Sequence, residues 1–222
     1  MRALFAAVVS CVLLVATMPP AFAQEAVPDH RYLYAKDTDF FGADLTNLFD
    51  TSQAACARAC SAQDACVAFT YNARNNACFP KSAITDRKPY EGAISAQKIA
   101  TDPAIISAQA ARRADLGFLG DDDLQAARAF VEINSQRYSF GEETLESLTA
   151  AMASAEQSGN SAAALRWAGK SAAFSDRADL WASYARHALI RSVERKEQRQ
   201  YRREAVQAAT NAYLRAAQPG VR

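Results

Sequence analysis

Residues 56–78 read CARACSAQDACVAFTYNARNNAC, and the placement of their four cysteines decides the fold. Cys56 and Cys60 stand four apart in an alanine-rich run, which on a helix puts both thiols on one face. Thr51 or Ser52 can cap that helix, which runs through Ala54, Cys56, Ala59 and Cys60. Val67-Ala68-Phe69-Thr70-Tyr71 alternates as a strand does, Arg74-Asn75-Asn76 suits a turn, and Ala77-Cys78-Phe79 returns. In that hairpin Cys78 sits opposite roughly residues 71–73, so Cys66 lies some five residues away, about 16 Å at ~3.3 Å per residue. A disulfide needs Cα atoms within about 7 Å, which excludes Cys66–Cys78. A strand running back antiparallel along the helix brings Cys66 to Cys60 and Cys78 to Cys56. The expected bonds are therefore Cys56–Cys78 and Cys60–Cys66, each worth roughly 2–3 kcal/mol through loop entropy in the unfolded chain. A module of this size has little core of its own, so those bonds decide whether it folds.

Toward the N-terminus, residues 1–23 have the form of a secretory signal. Arg2 gives the positive start, residues 3–17 are an apolar run, Met18-Pro19-Pro20 breaks it, and Ala21-Phe22-Ala23 is a small-x-small cleavage pattern. The mature chain is expected from Gln24, outside the cytosol, periplasmic or secreted. The run is shorter than the roughly 20 apolar residues of a spanning helix, so no stable membrane insertion is expected after cleavage. Val8-Val9-Ser10-Cys11 only faintly resembles a lipoprotein box, because too few apolar residues precede it. Cleavage removes Cys11 and leaves an even set of four cysteines, which in an oxidising compartment means disulfides. Structural zinc is the competing chemistry for Cys-x3-Cys, and the wide spacing of Cys66 and Cys78 disfavours it.

Beyond Thr101-Asp102-Pro103 the composition shifts to alanine-rich sequence without cysteine, dividing the chain into residues 24–100 and 101–222. Apolar residues there recur at helical spacing. A first helix is expected over residues 104–116. Asp121-Asp122-Asp123 place negative charge at the start of a second, with Leu124, Ala127, Val131 and Asn134 along one face. Thr144 starts a helix carrying Leu145, Leu148, Met152 and Ala155 and ending at Gly159. Residues 161–174, 175–194 and 199–217 supply three more, the last stopped by Pro219-Gly220. The fold class is thus α+β: a small disulfide-stapled domain followed by an all-α helical-hairpin domain. Trp167 and Trp181 are expected in the core of that helical half.

On these residues the first domain resembles a PAN/Apple domain. The carriers are Tyr32-Leu33-Tyr34, the run Asp39-Phe40-Phe41-Gly42-Ala43-Asp44-Leu45, Cys56-x3-Cys60, Cys66-x-Ala-Phe69-Thr-Tyr71-Asn72, Cys78-Phe79-x-Lys81-Ser82 and Ala93-Ile94-Ser95. The family's core bridges match the pairing above. Larger Apple domains add a bridge joining their ends, whose cysteines this chain lacks. The resemblance implies binding of a protein or carbohydrate partner, without catalysis and without a fixed binding face. Part of the helical half resembles a tetratricopeptide repeat, on Ala163, Trp167, Ser175 and Trp181, although Lys170 stands where a small residue is usual. The order of parts, ending in Asn211-Ala212-Tyr213-Leu214-Arg215-Ala216, resembles the N-terminal portion of bacterial alpha-macroglobulins, envelope proteins that entrap proteases. Neither Glu156-Gln157 nor Glu197-Gln198 has a nearby cysteine for their thioester, so covalent capture is not expected.

No catalytic constellation stands out. His30 precedes the first strand in a loose segment, and His187 shares a helix face with Asp179, Ser183 and Tyr184 in an order that puts Ser183, not the histidine, in the middle. That set reads as a polar surface stripe. No phosphate loop, nucleophile elbow or zincin helix occurs, and no cofactor or metal is expected. Residues 192–204 interleave Glu194, Glu197 and Glu204 with five basic residues, as on a solvated helix, and with a net charge of +1 no nucleic-acid partner is expected. The reading is an exported non-catalytic binding module for a protein or glycan, with the hairpin tip Arg74, Asn75 and Asn76 as candidate contact surface. The alternative is a structural adaptor that docks partners through its helical half.

Overall fold

The computed structural model describes residues 28–141, 143–194 and 198–216. The expected signal, its cleavage site, Cys11 and Pro219-Gly220 lie outside the described residues.

Four antiparallel strands form one sheet in the order β1-β4-β2-β3: β1 (His30–Phe41), β2 (Ala68–Asn72), β3 (Ala77–Lys81) and β4 (Asp86–Ala100). The β2–β3 hairpin pairs Tyr71 with Cys78, and β2 sets Phe69 against Ala96 of β4 on its other side. Period-two alternation sends Phe69 and Tyr71 to one face and Ala68 and Thr70 to the other. The first face, with Tyr32, Tyr34 and Ala96, packs against helix α1 (Gln53–Ser61) and the four cysteines. Ser52 caps α1 by accepting from the Ala55 N–H at 3.2 Å. The segment at Asp44 to Leu48 runs along the outer edge of β3, with Leu45 N–H to Pro80 O at 2.8 Å. That strand edge is thereby covered.

The short strands expected at residues 32–34 and 93–95 belong to strands of 12 and 15 residues. Lys36-Asp37 and the polar run at residues 86–88 interrupt the apolar alternation of their outer halves, and the register shifts between Lys36 and Thr38, where Asp37 takes a φ of 52°. The bulge carries Phe40 onto the second face of the sheet, where it is 1% exposed. There the Phe40 N–H meets Thr70 Oγ1 at 3.1 Å and Ser95 Oγ at 3.2 Å, above a 2.7 Å Thr70–Ser95 contact. His30 does not lie in a loose segment as expected: it opens β1, pairs with Ala100 and is half-buried.

The helical region holds α2 (Pro103–Arg112), a 3-10 turn (Arg113–Leu116), α3 (Asp121–Arg137), α4 (Leu145–Gln157), α5 (Ser161–Ser175), α6 (Ala178–Glu194) and α7 (Gln198–Arg215). Asp102, Thr144 and Asn160 side chains cap α2, α4 and α5. Neighbours pack in sequence from α4 to α7, while α2 and α3 return onto α7 and close a bundle. The residues read as tetratricopeptide-like, Ala163, Trp167, Ser175 and Trp181, fall on α5 and α6. Helix α6 starts at Ala178 rather than 175 because Asp176 adopts a left-handed conformation, φ 55°. Asp176 Oδ1 accepts from Trp181 Nε1 at 2.9 Å and from Arg215 Nε at 2.7 Å, all three groups being buried.

Trp181 lies tilted against Phe130 and Tyr184, which stack on each other, in the bundle core. Trp167, expected in the core too, is half-buried, with the Arg166 and Lys170 cations 5.4 and 5.6 Å from its ring. Glu204, read as part of a solvated charge run, is 6% exposed because Tyr184 O–H donates to it at 2.9 Å. His187 is buried as well, not on a surface stripe, and meets Glu156 at 2.9 Å. The two halves touch through Phe140 N–H to Tyr34 O (3.1 Å), Thr101 N–H to Asp29 O (2.8 Å) and the Arg31 guanidinium to Phe174 O. Among the described residues no helix is long and apolar enough to cross a membrane.

Candidate functional site

The disulfides fix the frame. Cys56–Cys78 joins α1 to β3 with Cα atoms 5.5 Å apart, and Cys60–Cys66 joins the end of α1 to the approach to β2 at 5.3 Å. With all four sulfurs buried, one face of the sheet is committed to α1.

The opposite face carries a cleft of about 280 Å³ between the bulged arm of β1 and β4 and the β2–β3 hairpin. Phe41, Phe79 and Tyr90 line it with aromatic rings, and Asp39, Asp44, Asn72 and Lys81 supply polar groups. Phe41 and Tyr90 are 43% and 46% exposed, high for aromatic side chains, and the Lys88 ammonium lies 4.9 Å from the Phe41 ring. Lys81 is buried but for its ion pair with Asp44 at 2.5 Å, a pair whose carboxylate is 42% exposed. Gly42 closes one wall. A Cβ there would overlap the Ala83 carbonyl, so only glycine lets the 41–43 segment lie against residues 82–84. Ser82 N–H to Ala43 O at 2.9 Å ties the two segments together.

The hairpin-tip residues divide. Asn76, at φ 49°, accepts from the Tyr71 O–H at 3.0 Å, and its carbonyl accepts from Thr51 N–H at 2.9 Å. It builds the turn. Arg74 pairs with Glu91 at 3.1 Å and lies over Gly92, beside the cleft residue Tyr90 in sequence. Asn75 is exposed. The tip and the cleft therefore share the Asn72 and Tyr90 end of the sheet, while the cleft itself, with Phe41 and Tyr90, was not singled out from the sequence. Its signal was present in the run at residues 39–45, where two adjacent aromatics cannot both face inward on a strand.

A carboxylate–imidazole–hydroxyl array also appears where none was expected. Asp29 Oδ1 lies 2.6 Å from His30 Nδ1, and His30 Nε2 lies 2.8 Å from Ser61 Oγ. The order suits serine activation, but the orienting acid of such a relay is buried, whereas Asp29 is 77% exposed. Tyr32 O–H also meets the Ser61 oxygen at 2.9 Å, so that hydroxyl is shared within a structural network. Burial, the largest influence, raises the Tyr32 hydroxyl above the ordinary phenol value and keeps it protonated. The helical stripe disperses: Asp179 pairs with Arg177, Ser183 turns to Met152, and His187 engages Glu156. No group of three or more potential metal ligands occurs among the described residues.

No curated protein matches the chain. A family model for the PAN domain matches residues 38–83, spanning the outer half of β1, α1, β2, β3 and both disulfides, and a PAN domain is a module that binds proteins or carbohydrates.

Proposed function

We propose that this chain is an exported, non-catalytic capture protein whose sheet cleft holds a carbohydrate. The observation that carries the reading is a pair of half-exposed aromatic rings, Phe41 and Tyr90, lining a cleft with the carboxylates Asp39 and Asp44. Aromatic faces offer a flat apolar platform to the C–H face of a sugar, and carboxylates and amides accept from its hydroxyls. The cleft is small and mixed in polarity, suited to one or two sugar rings rather than to the broad apolar core of a protein interface. Arg74 and Asn75 would form its rim at the hairpin tip. The disulfides support an oxidising compartment, periplasmic or secreted. A glycan array probed with the oxidised chain, followed by calorimetry, tests the proposal. Tyr90→Ala is expected to weaken the strongest hit about tenfold or more, ~1.4 kcal/mol. Array silence together with capture of a protein partner would favour the other class of PAN ligand.

A second reading, the adaptor, draws on one feature. Leu189 and Val193, four apart on one face of α6, are 56% and 75% exposed, an apolar stripe suited to a partner helix. Val193→Glu would abolish adaptor binding and leave glycan binding intact. A recruiting role within an alpha-macroglobulin-like inhibitor rests on sequence likeness alone. Of its carriers, Asn211 and Arg215 are buried bundle residues bonded to each other at 2.7 Å, which supports a structural role for them.

A further inference from the structure

We propose that a second copy of this chain docks on the α3–α7 face, in a two-fold dimer that sets the acidic end of each face on the basic end of the other. The face is a groove of about 610 Å³ between the two helices. They run antiparallel: Leu124 clusters with Leu214, the Asn211 amide donates to Ala127 O at 2.8 Å, and Arg137 pairs with Glu204 at 3.6 Å. The start of α3 therefore lies at one end of the groove and the start of α7 at the other.

Those two starts carry opposite charge. Asp123 lines the α3 end, following Asp121 and Asp122, and all three are exposed. Arg199, Arg202 and Arg203, exposed as well, line the groove from the first turns of α7. Within one molecule these charges do not neutralise one another. Asp122 and the three arginines make no ion pair with a described residue. Asp121 meets Arg113 at 3.5 Å, and Asp123 Oδ2 accepts from the Gly120 N–H at 3.0 Å. Between the charged ends the lining is small or apolar, with Ala126, Ala127 and a 61% exposed Val206. Phe118, 80% exposed, precedes Leu119, which borders the acidic end. From Arg199 to Thr210 the α7 wall is about 16 Å long at ~1.5 Å per residue.

This arrangement selects its occupant. A groove basic along its whole length would suit any acidic partner. A groove acidic at one end, basic at the other and apolar between is complementary to itself after a half-turn. Antiparallel superposition puts carboxylates on guanidiniums at both ends at once and brings the two Val206 side chains close to the axis, the condition for an isologous interface. The parallel pairing sets like charges together and is excluded. The face shares no lining residue with the sheet cleft, so the proposal stands whatever the cleft binds. A dimer would carry two clefts and bind a repeating ligand with avidity.

Sedimentation equilibrium of the oxidised full chain, from about 1 µM to about 1 mM, tests the inference. A reversible monomer–dimer equilibrium that weakens with added salt is expected. Val206→Glu puts two carboxylates near the axis and should weaken association about tenfold or more. Asp122→Arg and Arg202→Asp, both at exposed positions, should each do the same alone. An equimolar mixture of those two variants should associate again, because each supplies the charge the other has lost. Val193→Glu, outside the groove, should leave the dimer unchanged. A chain monomeric at every concentration would leave the groove to a different partner and overturn the proposal. Association that survives Val206→Glu, or a mixture no better than its separate variants, would overturn it too.

Discussion

At the scale of single residues, Gly42 shows how one missing side chain shapes the candidate site. Gly42→Ala must push residues 82–84 away from the 41–43 segment, because the added methyl falls on the Ala83 carbonyl. Glycan affinity should drop at least as far as with Tyr90→Ala, while the disulfides still form; calorimetry with non-reducing peptide mapping checks both. His187 carries a pH effect. Burial first, and the Arg186 charge second, lower its pKa from the ordinary 6.5 against the pull of Glu156. The unfolded chain therefore binds a proton that the folded chain refuses. The stability contribution is present above about pH 6.5 and is lost as pH falls below it. Chemical denaturation of wild type and His187→Gln between pH 7.5 and 5 should show a steeper loss for wild type. Such residues were the least legible in the sequence. Glu204 and His187 sit among charged neighbours in the chain, and only the packing of α6 against α7 and α4 reveals that they are buried. His30 was obscured in a different way: its role depends on Ser61, thirty-one positions away.

At the scale of elements, the disulfide frame was the most legible part. A helix with cysteines four apart and a hairpin of known rise leave one comfortable pairing, and the structure bonds those sulfurs. Cys60→Ser with Cys66→Ser closes no loop in the unfolded chain and should cost about 2–3 kcal/mol, read from urea midpoints. The outer halves of β1 and β4 were not legible, because Lys36-Asp37 and residues 86–91 break apolar alternation at the bulge. Helix ends were read to within a few residues, and at the α5–α6 turn the start of α6 falls three residues later than expected. There Asp176 serves Trp181 and Arg215 instead of the helix. Asp176→Asn keeps a side chain that tolerates the left-handed turn but leaves Arg215 as an uncompensated buried cation. A loss of roughly 3–5 kcal/mol is expected, with a change in Trp181 fluorescence as its local marker.

At the scale of the whole molecule, the sheet and the bundle are joined by Phe140 to Tyr34 and Arg31 to Phe174, so strain in one is felt in the other. Both tryptophans lie in the bundle, yet reduction of the disulfides in the sheet module should lower the midpoint of the tryptophan-monitored transition. A midpoint indifferent to reductant would mean that the halves unfold independently. The central claim is that this frame exists to present the aromatic cleft on its free face. The most direct measurement is calorimetric affinity of the oxidised chain for its best array glycan, compared among wild type, Tyr90→Ala and Asp39→Asn. The account predicts saturable binding that both variants weaken about tenfold or more; saturable binding that neither variant alters would contradict it.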